Sequence, residues 1–294
     1  MSNSSIEGGK FFFIVGAPKA GTYSLYETLT RHPDISMSRQ KEPNYLIDAI
    51  HNAPYMKVVV TLDQYLKQWN FDGNRALWYG EASPSYLRCE STPYRIRALF
   101  PNAKIIVVLR DPVDRAYSNW KMDVRQGHQR ESFSEAFVRD YRDRGPMKVQ
   151  YEYYKSGMYF YAVKRYLEVF GSDNVFIALF EDLHENTKAV SLGIQKFLNV
   201  KYVDLPFAKT NIARQPKYKI AASLYSSSAI KGTVGRALPE RLRTKIKAAI
   251  FSGEPDVSRI HTPDARRFRE YFKEDLRRLE SLIERDLTAW RGTK

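Results

Sequence analysis

The most constraining feature is near the start of the chain, where Phe11-Phe12-Phe13-Ile14-Val15 forms a continuous apolar run that stops at Gly16. A strand apolar at every position must be covered on both faces, as a central strand of a parallel sheet is and an alternating edge strand is not. The loop that follows, Gly16-Ala17-Pro18-Lys19-Ala20-Gly21-Thr22, has a glycine near each end. From Thr22 the Leu25 and Leu29 spacing is helical, until His32-Pro33 ends it. Strand, glycine loop and helix in this order gather successive backbone N–H groups and a helix N-terminus around one point, a cradle for phosphate or sulfate. A tight turn would use the same two glycines, but Lys19, Thr22 and Ser24 add anion-binding groups that a mere turn does not need.

The rest of the chain repeats the alternation. Leu77 to Glu81, Lys104 to Leu109 and Val175 to Leu179 read as further strands, and Ala162 to Phe170 and Thr187 to Leu198 as helices with one apolar face. Such alternation predicts an α/β fold with a parallel sheet flanked by helices. Phe268, Phe272, Leu276, Leu279, Ile283 and Trp290 predict one long amphipathic helix that closes over the sheet in a structural role. No internal repeat and no long Gly/Ser linker interrupts the 294 residues, so the expectation is a single domain with a flexible polar N-terminus over 1–9.

Charge narrows the partners: 47 Lys plus Arg against 33 Asp plus Glu give +14, which favours anionic ligands. Much of that excess lies in one basic, loop-rich segment, 207–262, whose Lys209 and Arg214 are candidate anion contacts. Nucleic acid is not the expected partner, because no nucleic-acid-binding motif is present and the basic residues are not interleaved with a stacking array. The single cysteine, Cys89, makes no internal disulfide and no zinc cluster, which fits a reducing cytoplasm. The run Phe11 to Val15 is too short for a membrane span or a signal peptide, so no transmembrane segment is expected.

The glycine loop departs from the nucleotide-triphosphatase pattern. Gly16 and Gly21 have the right spacing, but the next two positions are Thr22 and Tyr23 where that pattern needs Lys and Ser or Thr, and the lysine stands inside the loop at 19. A second anion site follows Ile105 to Leu109, a strand that delivers Arg110 to its C-terminal end, with Ser118 about two helical turns further on. Asp111 admits a rival reading as the metal-holding aspartate of a P-loop kinase that uses ATP and magnesium on a small metabolite.

Taken with the residues around them, the two sites resemble a known family. Ala17-Pro18-Lys19-Ala20-Gly21-Thr22-Tyr23-Ser24-Leu25 closely resembles the 5′-phosphosulfate loop of sulfotransferases that use 3′-phosphoadenosine 5′-phosphosulfate (PAPS) and release 3′-phosphoadenosine 5′-phosphate (PAP). The string Leu109-Arg110-Asp111-Pro112-Val113-Asp114-Arg115-Ala116-Tyr117-Ser118 looks like the family's 3′-phosphate motif. The resemblance implies a P-loop-like fold. It implies Lys19, Ala20, Gly21, Thr22, Tyr23 and Ser24 at the 5′-phosphosulfate, and Arg110 and Ser118 at the 3′-phosphate, joined by Lys209 and Arg214. It also places Tyr159, beside a helix start at Gly157-Met158, near the adenine. A sulfuryl group carries less charge than a phosphoryl group, so a lysine and backbone dipoles suffice and no metal is expected.

Sulfuryl transfer to a hydroxyl needs a base. Gln40-Lys41-Glu42-Pro43-Asn44-Tyr45 resembles the Lys-Glu-Pro segment of glycosaminoglycan and related bacterial sulfotransferases, which puts the base on Glu42 and the acceptor near Tyr45. Gly80-Glu81-Ala82-Ser83-Pro84-Ser85-Tyr86 is similar to a segment that lines the family's acceptor site, which implies acceptor contacts for Glu81 and Ser83 and keeps Glu81 as a second candidate base. Ala82 stands where that segment carries a lysine, which counts against a uronate-bearing acceptor. The expected acceptor is a carbohydrate or another small or lipid-linked alcohol.

Overall fold

In a computed structural model, residues 9–48, 58–71, 76–143, 152–205, 260 and 262–292 are described. The apolar run is strand β1 (Phe11–Gly16) and takes the centre of a five-stranded sheet with β2 (Ile35–Met37), β3 (Trp78–Ala82), β4 (Lys104–Leu109) and β5 (Val175–Leu179) in the order β2-β3-β1-β4-β5. Every pairing is parallel. Complete burial of Phe12, Ile14 and Val15 in β1 and of Ile105 to Leu109 in β4 explains why these strands lack alternation. Gly80 in β3 makes this packing possible, because a Cβ there would stand 2.3 Å from Phe12 Cζ and 2.4 Å from Met37 Sδ.

Helices cover the sheet: α1 (Thr22–Leu29), α2 (Leu62–Leu66), α3 (Thr92–Leu99), α4 (Pro112–Arg125), α5 (Phe133–Arg142), α6 (Phe160–Phe170), α7 (Phe180–Glu185), α8 (Thr187–Phe197), α9 (Thr262–Glu270), α10 (Lys273–Ile283) and α11 (Thr288–Arg291). Strand order decides where a ligand can sit. After β1 the chain moves to the β3 side, and after β4 it moves to the β5 side, so the loops leaving these two neighbours diverge and open a crevice at their carboxyl ends. Among the described residues no helix is long and apolar enough to cross a membrane.

The strands read from sequence stand within one residue of those observed, and β2 was not legible because three residues behind Pro33 carry too little pattern. The C-terminal amphipathic stretch is three helices, not one. Glu284 adopts φ 52°, the left-handed conformation that ends α10, while Glu280 accepts from Leu287 N at 2.9 Å and Asp286 accepts from Thr288 N at 2.8 Å to start α11. Lys209, Arg214 and the basic segment up to residue 259 lie outside the described residues, as do residues 1–8.

Nor is the C-terminal part merely a cover. Buried Asp275 of α10 accepts from Tyr159 N at 2.9 Å and Phe160 N at 3.2 Å, so it caps α6 from another part of the chain. Replacing it by Ala leaves two helix donors without their acceptor and is expected to cost about 0.5–2 kcal/mol. Asp275→Asn, which keeps an oxygen for one donor, should lose less in thermal unfolding; equal losses for the two variants would contradict the capping role.

Candidate active site

The loop between β1 and α1 is shaped by contacts on both sides. Lys19 sits at φ 69° and Gly21 at φ 85°, two left-handed turns that bring the backbone back toward the crevice before α1 begins. Gly21 is fixed by space as well, since a Cβ there would stand 3.1 Å from Leu183 Cδ1 and 3.2 Å from Phe180 Cδ2 of α7. Gly16 is equally confined, with Leu87 Cβ 2.6 Å from its would-be Cβ. Thr22 and Ala20 are buried, whereas Lys19, Gly21 and Ser24 are half-buried and Tyr23 is exposed.

Arg110 leaves β4 into the same crevice. Its Nη1 donates to the Lys19 carbonyl at 3.1 Å, and its guanidinium lies 4.4 Å from the centroid of the Phe180 ring. A planar cation held between a carbonyl and an aromatic face is oriented before any ligand arrives. Its backbone is held too. Tyr159 donates its hydroxyl to the Arg110 carbonyl at 3.0 Å, and neighbouring Asp111 accepts from Val113 N at 2.8 Å and Asp114 N at 3.1 Å, capping α4. Asp111 in turn is gripped by Arg269 of α9, at 2.8 Å from Nη2 and 3.2 Å from Nε. This corrects the metal-ligand reading of Asp111: its carboxylate is spent on a helix cap and an arginine. Ser118 stands half-buried two turns along α4.

Lys19 is the electrostatic centre. Burial, then the charges of Arg125 and Arg110, push its ammonium down to about 8, with Asp123 and Glu42 acting in the opposite sense. Its Nζ donates to the Met122 sulfur at 3.6 Å, a weak acceptor. A half-desolvated cation flanked by two arginines and a thioether is stabilised by an incoming anion. Asp123 is held by Tyr153 OH at 2.9 Å and Asn119 Nδ2 at 3.0 Å.

Glu42 lies across the crevice, exposed and ion-paired to Lys41, whose amine stands 5.6 Å from the Tyr23 ring centroid. Its backbone has φ 61°, and its N–H donates to the Ala82 carbonyl at 3.0 Å. The structure thus brings Lys19, Glu42, Arg110 and half-buried Tyr45 to one edge of the sheet. Glu81 and Ser83 are each 1% exposed and hydrogen-bond one another at 2.6 Å, so neither touches an acceptor and Glu81 is not an alternative base. Tyr159 is likewise 1% exposed, which removes it as a stacking surface for adenine and makes it a support for Arg110. Sequence reasoning missed Phe180, Arg125 and Arg269. Phe180 directly follows β5, a position at the carboxyl edge that could have flagged it, whereas the two arginines carry no local signal.

Residues 10–215 match the family model described as a sulfotransferase domain. The chain belongs to the sulfotransferase family. A crystal structure of a sulfotransferase from Alicyclobacillus acidocaldarius superposes with a TM-score of 0.69 at 31% identity, covering 95% of this chain and 98% of that one. A mouse sulfotransferase complexed with PAP shares the fold, with a TM-score of 0.51 at 17% identity over 92% of this chain and 84% of that one. The Homo sapiens bifunctional heparan sulfate N-deacetylase/N-sulfotransferase 2 is 30% identical over 196 residues, 64% of this chain and 22% of the relative's length. The Homo sapiens heparan sulfate glucosamine 3-O-sulfotransferase 6 is 27% identical over 190 residues, 65% of this chain and 52% of the relative's length. The chain therefore matches only part of each of these curated relatives. Family membership makes this sulfotransferase an enzyme, and the kinase reading falls.

Because the folded state lowers the Lys19 ammonium to about 8, that charge is present below this pH and lost above it. A phosphate bound beside it would stabilise the charged form, so binding of a phosphate ligand such as PAP is expected to take up a proton near that pH and to weaken as pH rises through about 8. Calorimetry between pH 6.5 and 9.5 should show this weakening, and Lys19→Met should bind more weakly at low pH with a flat profile. A flat wild-type profile would contradict this placement of the charge.

Proposed function

We propose that this sulfotransferase moves the sulfuryl group of PAPS to a hydroxyl of a carbohydrate or another small or lipid-linked alcohol, without a metal ion, and that the chain acts as one catalytic domain in the cytoplasm. The observation that carries the reading is the 3.1 Å hydrogen bond from Arg110 Nη1 to the Lys19 carbonyl, which holds the two anion-binding motifs at one crevice. The residues fit such a donor. The cradle around Gly21 has no space for a side chain, the Lys19 ammonium has a weak sulfur acceptor beside it, and the Arg110 guanidinium is already oriented.

In this reading the amides from Ala20 to Ser24 and the Lys19 ammonium hold the 5′ end of the donor, and Lys19 balances the charge that develops on the bridging oxygen. Arg110 and Ser118 hold the 3′-phosphate, with Lys209 and Arg214 as further contacts. PAPS supplies the sulfuryl group and is released as PAP. Glu42 takes the proton of the acceptor hydroxyl, and its exposure leaves it open to an acceptor arriving from solvent. Its carboxylate is ion-paired to Lys41. Heparan sulfate appears in the names of the curated relatives, which supports a carbohydrate acceptor, while Ala82 removes one cation that a uronate would use.

Transfer of labelled sulfate from PAPS to a panel of heparan oligosaccharides, neutral sugars and simple alcohols, with a chelator present, tests the reading. Glu42→Gln should lower kcat by roughly 10²–10⁴-fold, the range for a general base, while leaving PAP affinity within about twofold. Full activity in that variant would remove Glu42 from the base role. Activity that needs added magnesium, or that uses ATP in place of PAPS, would overturn the donor assignment.

A further inference from the structure

Glu81, near the carboxyl end of β3, is a buried carboxylate that the proposed chemistry does not use. It is 1% exposed, and what surrounds its carboxylate is hydroxyl groups: Ser83 Oγ donates to Oε1 at 2.6 Å, Tyr65 OH donates to Oε2, and Tyr86 OH is a further hydrogen-bond partner. A carboxylate buried among neutral donors is expensive, and burial pushes Glu81 up to about 7. Its cost is explained by what those hydroxyls do on their other side.

Each of the three residues touches one of three consecutive positions in the loop that carries Glu42. Ser83 Oγ accepts from Asn44 N at 3.2 Å, the Tyr65 ring stacks on the Tyr45 ring at 4.5 Å with 21° between planes, and Tyr86 OH accepts from Leu46 N at 3.1 Å. A hydroxyl has one proton. When Ser83 and Tyr86 commit theirs to Glu81, their lone pairs are left to receive the loop N–H groups. Asn44 then passes the order on: Ser85 Oγ donates to its Oδ1 at 2.7 Å and its Nδ2 donates to the Glu42 carbonyl at 2.9 Å. This bracing is needed because Glu42 at φ 61° and Asn44 at φ 53° are both left-handed without being glycine. Such conformations are strained for residues with a side chain and persist only where the surroundings over-determine them.

We propose that Glu81 is a positioning residue: its carboxylate fixes the polarity of the Tyr65, Ser83 and Tyr86 hydroxyls and thereby holds the Asn44-Tyr45-Leu46 turn that aims Glu42 across the crevice. The inference rests on Glu42 being the base, but its first test does not. Hydrogen exchange on the full chain, comparing wild type with Glu81→Gln, should show the Asn44 and Leu46 amides losing protection by about tenfold or more, while the Ile106 and Val107 amides and PAP affinity stay within about twofold. The glutamine amide turns donors toward donors without changing shape. Unchanged protection at Asn44 and Leu46 would overturn the proposal. Should Glu81→Gln lose its core protection as well, Tyr86→Phe decides: loss confined to Leu46 supports the relay, and no loss there refutes it.

The kinetic arm uses PAPS with a heparan oligosaccharide. Glu81→Gln should lower kcat about tenfold at unchanged KM for PAPS, and should cost nothing further in a Glu42→Gln background, since a residue acting through another is not additive with it. Independent, multiplicative losses would mean that Glu81 only stabilises the fold. Full activity of Glu42→Gln alone would sink the base assignment and leave the exchange result on the loop standing.

Discussion

The hydrogen bond from Arg110 to the Lys19 carbonyl joins two loops 91 positions apart in the chain, and most of the structure serves that junction. It forms because β1 and β4 are neighbours whose loops leave in opposite directions. Two cations at that point repel, and the Lys19 ammonium is lowered first by its burial and then by the charges of Arg125 and Arg110. The fold holds both charges in place with neutral groups, the Phe180 ring and the Met122 sulfur among them, so their attraction remains available to a ligand.

Support comes from behind in both halves of the site. On the Arg110 side, Arg269 and Asp275 reach in from the C-terminal helices, one to Asp111 and the other to the backbone at Tyr159, and so brace the residues on which Arg110 depends. On the Glu42 side, Glu81 and its ring of hydroxyls stand under the Glu42 loop. Both arrangements use buried carboxylates to direct other groups, which accounts for acids at positions where an apolar side chain would pack at lower cost.

Legibility in the sequence followed the range of the forces involved. Phe11 to Val15 and Ile105 to Leu109 could be read because complete burial imposes an unbroken apolar run, and the places of Lys19 and Arg110 because each stands in the loop directly after such a strand. Resemblance implies ligand contacts for Glu81, Ser83 and Tyr159, yet all three are buried; whether a side chain at a strand end or a helix start faces the crevice or the core depends on packing that no local pattern encodes. Arg269 could not be read at all, since its partner Asp111 is 158 positions away. The break in the C-terminal helix was hidden because Leu279 and Ile283 keep the helical spacing up to the left-handed Glu284.

The decisive measurement is a crystal structure of the chain with PAP. The 5′-phosphate should lie within about 3 Å of amides from Ala20 to Ser24 and of Lys19 Nζ, with the 3′-phosphate at the same distance from Arg110 and Ser118 Oγ. PAP bound elsewhere, or bound in the crevice with its 3′-phosphate away from Arg110, would contradict that placement.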